Sequence, residues 1–207
     1  MMKYQTLGER ASAVIVEKKS EFIAVAAPVD SEPLALAVLE EIRSQHRTAT
    51  HNVYAYVLRE QNRQRYSDDG EPAKTAGLPV LSVITHAGLA DCIIVVTRYF
   101  GGTLLGSGGL VRAYTAAAQA VLAQTTILTM QLCLTLSLSI DYSRLESARR
   151  IFSEAGARLH EPQYTERVLL SATLPAGQEL NLIPQLNELC RQEAELTISA
   201  PFFTPFG

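Results

Sequence analysis

Residues 132–140 alternate strictly between apolar and small polar side chains, and this pattern constrains the fold more than any other. The apolar positions are Leu132, Leu134, Leu136, Leu138 and Ile140. Side chains of a β-strand point alternately to opposite faces, so the pattern predicts a strand with one buried face. The following segments predict a helix capped by Asp141, strands over 158–163 and 167–174, a helix from about Asn181 that has Pro184 in its first turn and buries Ile183, Leu186 and Cys190, and a strand over 195–200. This β-α-β-β-α-β order over about seventy residues is that of the split βαβ, or ferredoxin-like, fold.

The first half of the chain predicts strands alternating with helices. In order, we expect a hairpin or bent strand pair over 12–27, a helix from Ser31 to about His46, a strand over 52–59, a polar turn over 60–65, a loop over 67–79, a helix over 78–87, a buried central strand over 91–99, a glycine-rich turn over 100–109 and a helix over 110–124. The boundary between the two halves falls near residues 125–129. The sequence therefore predicts two domains, residues 1–128 and 129–207.

The composition is that of an ordinary globular protein. Of 207 residues, 47% are hydrophobic and 19% are charged, which excludes a disordered or collagen-like chain. The balance of 18 Lys and Arg against 21 Asp and Glu gives a net charge of -3. Contact with nucleic acid would therefore need a local basic patch, because the whole surface is not basic.

Cysteine usage and hydropathy indicate the compartment. Cys92, Cys133 and Cys190 lie in separate apolar runs, so we expect buried thiols in a reducing environment and neither disulfides nor a zinc site. Residues 113–140 lack charged side chains, but several glutamines interrupt them, and a helix followed by a strand explains them better than a membrane span. We expect a cytoplasmic protein with no signal segment, metal, cofactor, membrane contact or disulfide-linked partner.

Five of the twelve glycines lie within nine residues, between the predicted buried strand and the helix after it. They are Gly101, Gly102, Gly106, Gly108 and Gly109. Glycines let a ligand approach the backbone, and the N–H groups at a helix N-terminus favour an anion. Arg98 before the turn and Arg112 after it could add charge-assisted donors. The segment could thus bind the phosphate of a nucleotide or of RNA, or it could be a tight connection without a ligand; both interpretations stay open.

The loop over 67–79 gathers Asp68, Asp69 and Glu71 around Gly70. Three carboxylates could hold a hard cation or act as acid and base. They could also make turns and cap the next helix, which we favour because the sequence offers no distant fourth ligand or partner histidine. His51 is the one histidine near these candidates, and Ser107 lacks the surroundings of a nucleophile elbow.

Two segments together carry a resemblance to a known family. The sequence SDDGEPAKTAGLP (67–79), followed by VVTRYFGGTLLGSGGLVRAY (95–114), resembles the signature of the IMPACT family, and the two-domain layout resembles that of its bacterial YigZ-type members. The resemblance implies an α+β protein of two domains. The first is an α/β sandwich like a small-subunit ribosomal protein domain, elongation factor G domain IV and GHMP-type kinases; the second is ferredoxin-like. Lys74 departs from the small residue expected there.

The resemblance also implies a function and a site. Eukaryotic members regulate translation, so we expect a non-catalytic, translation-associated protein that contacts the ribosome, RNA or a translation factor. The alternative is a small-molecule enzyme or a nucleotide or phosphate binder that uses the glycine-rich turn and the loop over 68–71. A protein–protein regulator is a third possibility. The family motif places one binding surface at Asp68, Asp69, Gly70, Glu71, Thr75, Gly77, Arg98, Tyr99, Gly101, Gly102, Gly106, Gly108, Gly109, Arg112 and Tyr114. Because the chain has no basic surplus, contact with the ribosome would need a concentrated basic patch around Arg98, Arg112, Arg63, Arg65 and Lys74.

Overall fold

The computed structural model describes residues 2–191 and 195–206. They form two compact units: one consists of Tyr4–Thr129, and the other contains the described residues from Met130 onwards together with Met2 and Lys3. Both units combine helices with antiparallel strands, which confirms the prediction of a mixed fold of helices and sheets. Within the described residues, no helix is long and apolar enough to cross a membrane.

Apart from the first strand, the elements up to residue 122 build one sheet with helices on both faces. In chain order they are β1 (Lys3–Leu7), β2 (Ala11–Glu17), β3 (Ser20–Pro28), α1 (Glu32–Gln45), β4 (His51–Leu58), β5 (Arg63–Ser67), α2 (Gly77–His86), β6 (Cys92–Tyr99) and α3 (Gly106–Leu122). Strands β2 to β6 form a five-stranded antiparallel sheet in the order β2-β3-β6-β4-β5.

Strand β6 lies at the centre of this sheet, as its uninterrupted apolar run predicts. Seven of its eight residues are buried. Ile93 and Val95 pack with α1 on one face, whereas Ile94 and Val96 pack with α2 and α3 on the other. A strand covered on both faces buries consecutive side chains, which explains why the run from Cys92 to Val96 is apolar without alternation.

Two predictions in this unit are wrong in detail. A short 3-10 turn, Glu60–Asn62, and strand β5 replace the polar turn predicted over 60–65. Because β5 is an edge strand with mostly exposed side chains, its sequence lacks an apolar pattern. Helix α3 begins at Gly106 rather than Leu110, so three glycines occupy its first turn despite their low helix propensity.

The second unit is a sheet with two helices on one face. Its elements are β7 (Ile127–Ile140), α4 (Leu145–Glu154), β8 (Arg158–Leu159), β9 (Gln163–Tyr164), β10 (Val168–Pro175), α5 (Glu179–Leu189), β11 (Glu195–Ile198) and β12 (Phe202–Pro205). Strand β10 pairs with β7 and also with β8 and β9; β11 and β12 pair with β7. The predicted alternation is confirmed: Leu134, Leu136, Leu138 and Ile140 are buried against α4 and α5.

Several boundaries in this unit differ from the predictions. Helix α5 begins at Glu179, and Pro184 is its sixth residue rather than part of the first turn. The acidic side chain at the start of α5 interacts favourably with the helix dipole, which supports the earlier start. Consequently Leu182 rather than Ile183 is buried beside Leu186. The strand predicted over 158–163 is two short strands, and β12 had no counterpart in the predicted elements.

Candidate functional site

The segment between β6 and α3 is fixed by a close contact with the turn between β2 and β3. A Cβ atom on Gly101 would lie 2.0 Å from the backbone carbonyl carbon and oxygen of Lys19, so only glycine fits there. The Gly101 N–H donates to Ser20 Oγ at 3.2 Å. Gly102 and Gly106 have positive φ angles of 81° and 71°. These glycines therefore give the segment its path before α3 begins.

Asp68 holds the loop between β5 and α2 in a closed conformation. Its carboxylate accepts hydrogen bonds from the backbone N–H groups of Lys74, Ala76 and Gly77 at 2.8, 3.0 and 2.8 Å. The buried Thr75 hydroxyl donates to the Pro72 carbonyl at 2.7 Å. Asp68 thus satisfies N–H groups at the start of α2, which is the turn and capping role that the sequence favoured over metal binding.

Asp69 connects this loop to α1 and β4. Its carboxylate accepts from the Asn52 N–H at 2.6 Å and from Arg43 at 3.2 Å. Its backbone carbonyl lies 2.7 Å from His51 Nδ1. A carbonyl can only accept, so Nδ1 carries a proton in this contact, and His51 Nε2 is directed towards Glu71 Oε1 at 3.8 Å. Asp69 therefore orients His51.

Glu71, Arg98 and Tyr114 form a buried polar cluster beneath the loop. Glu71 Oε1 accepts from Arg98 Nη1 at 2.6 Å and from the Tyr114 hydroxyl at 2.8 Å. The side chains of Arg98 and Glu71 are only 6% and 4% exposed. Burial and the adjacent Glu71 carboxylate raise the pKa of Tyr114 far above its usual value, so its hydroxyl stays a proton donor. The pair of Arg98 and Glu71 is internally neutral, and the cluster links the loop, β6 and α3.

A cavity of about 410 Å³ opens beside this cluster. Glu71, Arg98 and His51 contribute its polar side chains together with Thr50, and the first turn of α3 contributes Gly106 and Ser107. The apolar residues that line it are Pro72, Phe100, Leu104, Leu105 and Leu110. Its volume lies within the ~300–1,000 Å³ range of small-molecule sites, and its mixture of apolar walls with a few polar groups is typical of them.

The residues proposed from the sequence divide between this cavity and its surroundings. Glu71, Arg98 and Gly106 line it. Tyr99 contacts His46 through a 3.0 Å hydrogen bond, and Arg112 is exposed on α3. The others lie in the neighbouring loops or at the start of α2, namely Asp68, Asp69, Gly70, Thr75, Gly77, Gly101 and Gly102, or within α3, namely Gly108, Gly109 and Tyr114. Among the described residues, no group of three or more His, Cys, Asp or Glu side chains could hold a metal ion.

The structure departs from the sequence-based interpretation most clearly at Arg98. We expected its guanidinium to be available to a phosphate, but it is buried and paired with Glu71. Sequence reasoning named His51 and Ser107 but did not choose them, and it did not consider Phe100 and Leu104; all four line the cavity. The two adjacent leucines inside the glycine-rich segment were the available signal, since exposed turns seldom carry a pair of large apolar side chains.

Comparison with known proteins confirms the family that the two motif segments, 67–79 and 95–114, indicated. The Impact N-terminal domain matches residues 18–122, and a domain of unknown function, DUF1949, matches 138–193. The chain is 39% identical over 166 residues to the IMPACT family member YvyE of Bacillus subtilis, covering 80% of this chain and 76% of that one. It is 33% identical over 191 residues to the IMPACT family member YigZ of Escherichia coli, covering 90% and 94%.

A solved structure, titled as the crystal structure of a hypothetical protein, has the same fold over nearly its whole length. The TM-score is 0.64 at 31% identity, and the match covers 95% of this chain and 97% of that one. Because the Impact N-terminal domain occupies half of the sequence and the resemblance to YigZ extends over most of it, the chain belongs to the IMPACT family.

Proposed function

We propose that this protein is a non-catalytic, cytoplasmic regulator associated with translation, which contacts the ribosome, RNA or a translation factor. The observation that carries the proposal is membership of the IMPACT family, whose domain match includes both motif segments. The translation role of the family's eukaryotic members, implied by the motif resemblance, supports the same class of function here.

The architecture supports this proposal at the level of analogy. We take residues 1–128 as a domain related to a ribosomal protein domain and to elongation factor G domain IV, and 129–207 as a ferredoxin-like domain. For the latter, support comes from the antiparallel order β8-β10-β7-β11 and from α4 and α5 on one face. Shared folds favour, but do not by themselves specify, a shared partner.

Exposed cations rather than Arg98 must supply the attraction to a phosphate backbone. Arg98 is neutralised by Glu71, and Arg63 forms an ion pair with Glu32. Arg65, Lys74 and Arg112 are exposed. If they bind ribosomal RNA, neutralisation of each phosphate releases counterions, so the binding constant falls steeply with salt.

The test is co-sedimentation of the purified protein with ribosomes and separate subunits across a salt series. We expect retention that decreases with salt, and a triple variant (Arg65→Gln, Lys74→Gln, Arg112→Gln) should bind more weakly. Its logarithmic salt slope should be smaller by about 0.7–0.9 for each phosphate that the variant no longer neutralises. Arg150→Gln is the matched control, because its side chain is 79% exposed on α4. Absence of retention at low salt, or an unchanged slope in the triple variant, contradicts the proposal.

A second candidate function is the binding of a small phosphorylated molecule. The specific observation in its favour is the 410 Å³ cavity, which combines apolar walls with buried polar groups and a helix N-terminus.

A further inference from the structure

The first turn of α3 presents backbone N–H groups at the cavity. Gly106 and Ser107 line it, and α3 continues for 17 residues, so its dipole is that of a full helix. Leu105 precedes the helix and cannot cap it through its side chain, and the first turn contains no acidic residue. The positive end of this helix dipole therefore has no compensating side chain at these positions.

Gly108 leaves the backbone of this turn without a covering side chain. A Cβ atom there would meet only Arg112 Nη1, at 3.6 Å, and its φ angle is not in the positive region. Neither packing nor backbone conformation therefore requires glycine, although glycine costs about 0.5–1 kcal/mol relative to alanine inside a helix. Access of a ligand to the backbone N–H groups is a physical reason for its presence.

The buried cluster provides a second and independent indication of a ligand. Arg98 lines the cavity with a side chain only 6% exposed, and its buried Nε has no hydrogen-bond partner among the described residues. Buried polar atoms are nearly always paired, so an unpaired N–H on a side chain that lines the cavity favours a hydrogen-bond acceptor there. Because Arg98 and Glu71 neutralise each other, they do not repel an anion at α3.

The opening of the cavity exposes an aromatic ring and a large aliphatic side chain. Phe100 is 47% and Leu104 is 84% exposed, and both line the cavity. The Phe100 ring lies 5.6 Å from the Arg98 guanidinium carbon, which helps to hold its position. Such side chains contact a flat apolar group favourably, as in the stacking of a base on an aromatic ring.

We propose that this cavity binds a nucleotide, with a phosphate at the N-terminus of α3 and the base against Phe100 and Leu104. The proposal deepens the second candidate function and rests on it. The nucleotide can be free or can be the phosphorylated end of an RNA, since both present the same phosphate, ribose and base. His51, which lines the same cavity, is then available to a ribose hydroxyl group.

The test uses Ser107, the second residue of α3, which is exposed. Ser107→Asp places a negative charge in the phosphate position, yet it is compatible with folding because carboxylates are favourable in a first helical turn. Ser107→Asn has nearly the same shape without the charge and is the matched control. Binding is measured by calorimetry and thermal shift with AMP, GMP, CMP and UMP, the four nucleosides, inorganic phosphate and a 5′-phosphorylated oligoribonucleotide.

We expect at least one nucleoside monophosphate or the oligonucleotide to bind, and the matching nucleoside and inorganic phosphate to bind at least about tenfold more weakly. Ser107→Asp should reduce affinity by about tenfold or more, whereas Ser107→Asn should stay close to the parent protein. Leu104→Ala should also weaken binding by several-fold.

No binding of any nucleotide or oligonucleotide at millimolar concentration overturns the proposal. Equal affinity in Ser107→Asp and Ser107→Asn also overturns it, as does inorganic phosphate that binds as tightly as the nucleotides. Binding of the oligonucleotide alone identifies RNA as the source of the nucleotide. Ribosome retention depends on different side chains, so its failure can be distinguished from failure of this site.

Discussion

The ion pair between Arg98 and Glu71 should be essential for the stability of the first unit. Replacing Arg98 with Met keeps an apolar stem near Phe22 but leaves the Glu71 carboxylate, 4% exposed, without its cation. Removal of one partner from a buried pair costs about 3–5 kcal/mol, because the remaining charge is desolvated and uncompensated. We expect Arg98→Met to lower the free energy of unfolding by that amount.

The measurement needs a probe inside this unit, because the chain contains a second one. Cys92 in β6 is fully buried, so its rate of alkylation under native conditions reports opening of the sheet. Peptide mass spectrometry separates its signal from those of Cys133 and Cys190. Arg112→Met is the control, since Arg112 is exposed on α3 and a surface substitution changes stability by only about 0.5 kcal/mol.

The double variant Arg98→Met with Glu71→Gln separates the charge effect from a packing effect. It removes the uncompensated charge, so it should be more stable than Arg98→Met alone by at least about 1 kcal/mol. A destabilisation below about 1 kcal/mol in Arg98→Met, comparable to the control, would refute the reasoning. It would mean that the pair behaves as an exposed ion pair.

Four further predictions concern single residues. Burial raises the pKa of Cys92 to about 12, so its thiol should resist alkylation at pH 8 until the protein unfolds, as judged by the same mass spectrometric assay. Burial and, second, a hydrogen bond to the Glu32 carboxylate raise the pKa of Tyr56 to about 12. The protonated hydroxyl should therefore stabilise the fold fully below pH ~10, and this stabilisation should disappear as the pH rises towards about 12. An ultraviolet titration should show ionisation of a tyrosine near pH 12 that is absent in Tyr56→Phe. Gly101→Ala should destabilise strongly, because a Cβ would overlap the backbone at 2.0 Å, whereas Gly108→Ala should raise the unfolding free energy by about 0.5–1 kcal/mol in denaturant titrations.

The elements predicted best were those whose own sequence determines their burial. The alternation in β7 predicts that one face of the strand is buried, and the apolar run in β6 predicts that both faces are. Both strands are confirmed. Strand β5 was missed because its place at the edge of the sheet depends on pairing with β4, which its polar sequence does not reveal. The start of α5 was misjudged because Pro184 was given more weight than the acidic residue at Glu179.

The candidate site was less predictable than the fold. Each motif residue could be recognised, but the pairing of Glu71 with Arg98 joins positions 27 residues apart, and spacing alone does not indicate it. An exposed arginine can attract a phosphate, whereas the charge of the buried Arg98 is already neutralised by Glu71. Phe100 and Leu104 carry no ionisable or nucleophilic group, so apart from the adjacent pair of leucines nothing in the sequence marked them as residues that line the cavity.

Experiments on the IMPACT motif must separate its structural role from the binding role that we propose. Asp68 closes its loop by accepting hydrogen bonds from three backbone N–H groups, and Gly101 allows close contact between its own backbone and the turn between β2 and β3. Substitutions at these positions or at Arg98 would abolish any binding by disturbing the cavity itself. The side chains of Phe100, Leu104 and Ser107 are exposed and line the cavity, and their replacement leaves the hydrogen bonds of Asp68 and the passage at Gly101 in place. Weaker binding at those three positions, with stability retained, is the result that assigns a function to the motif.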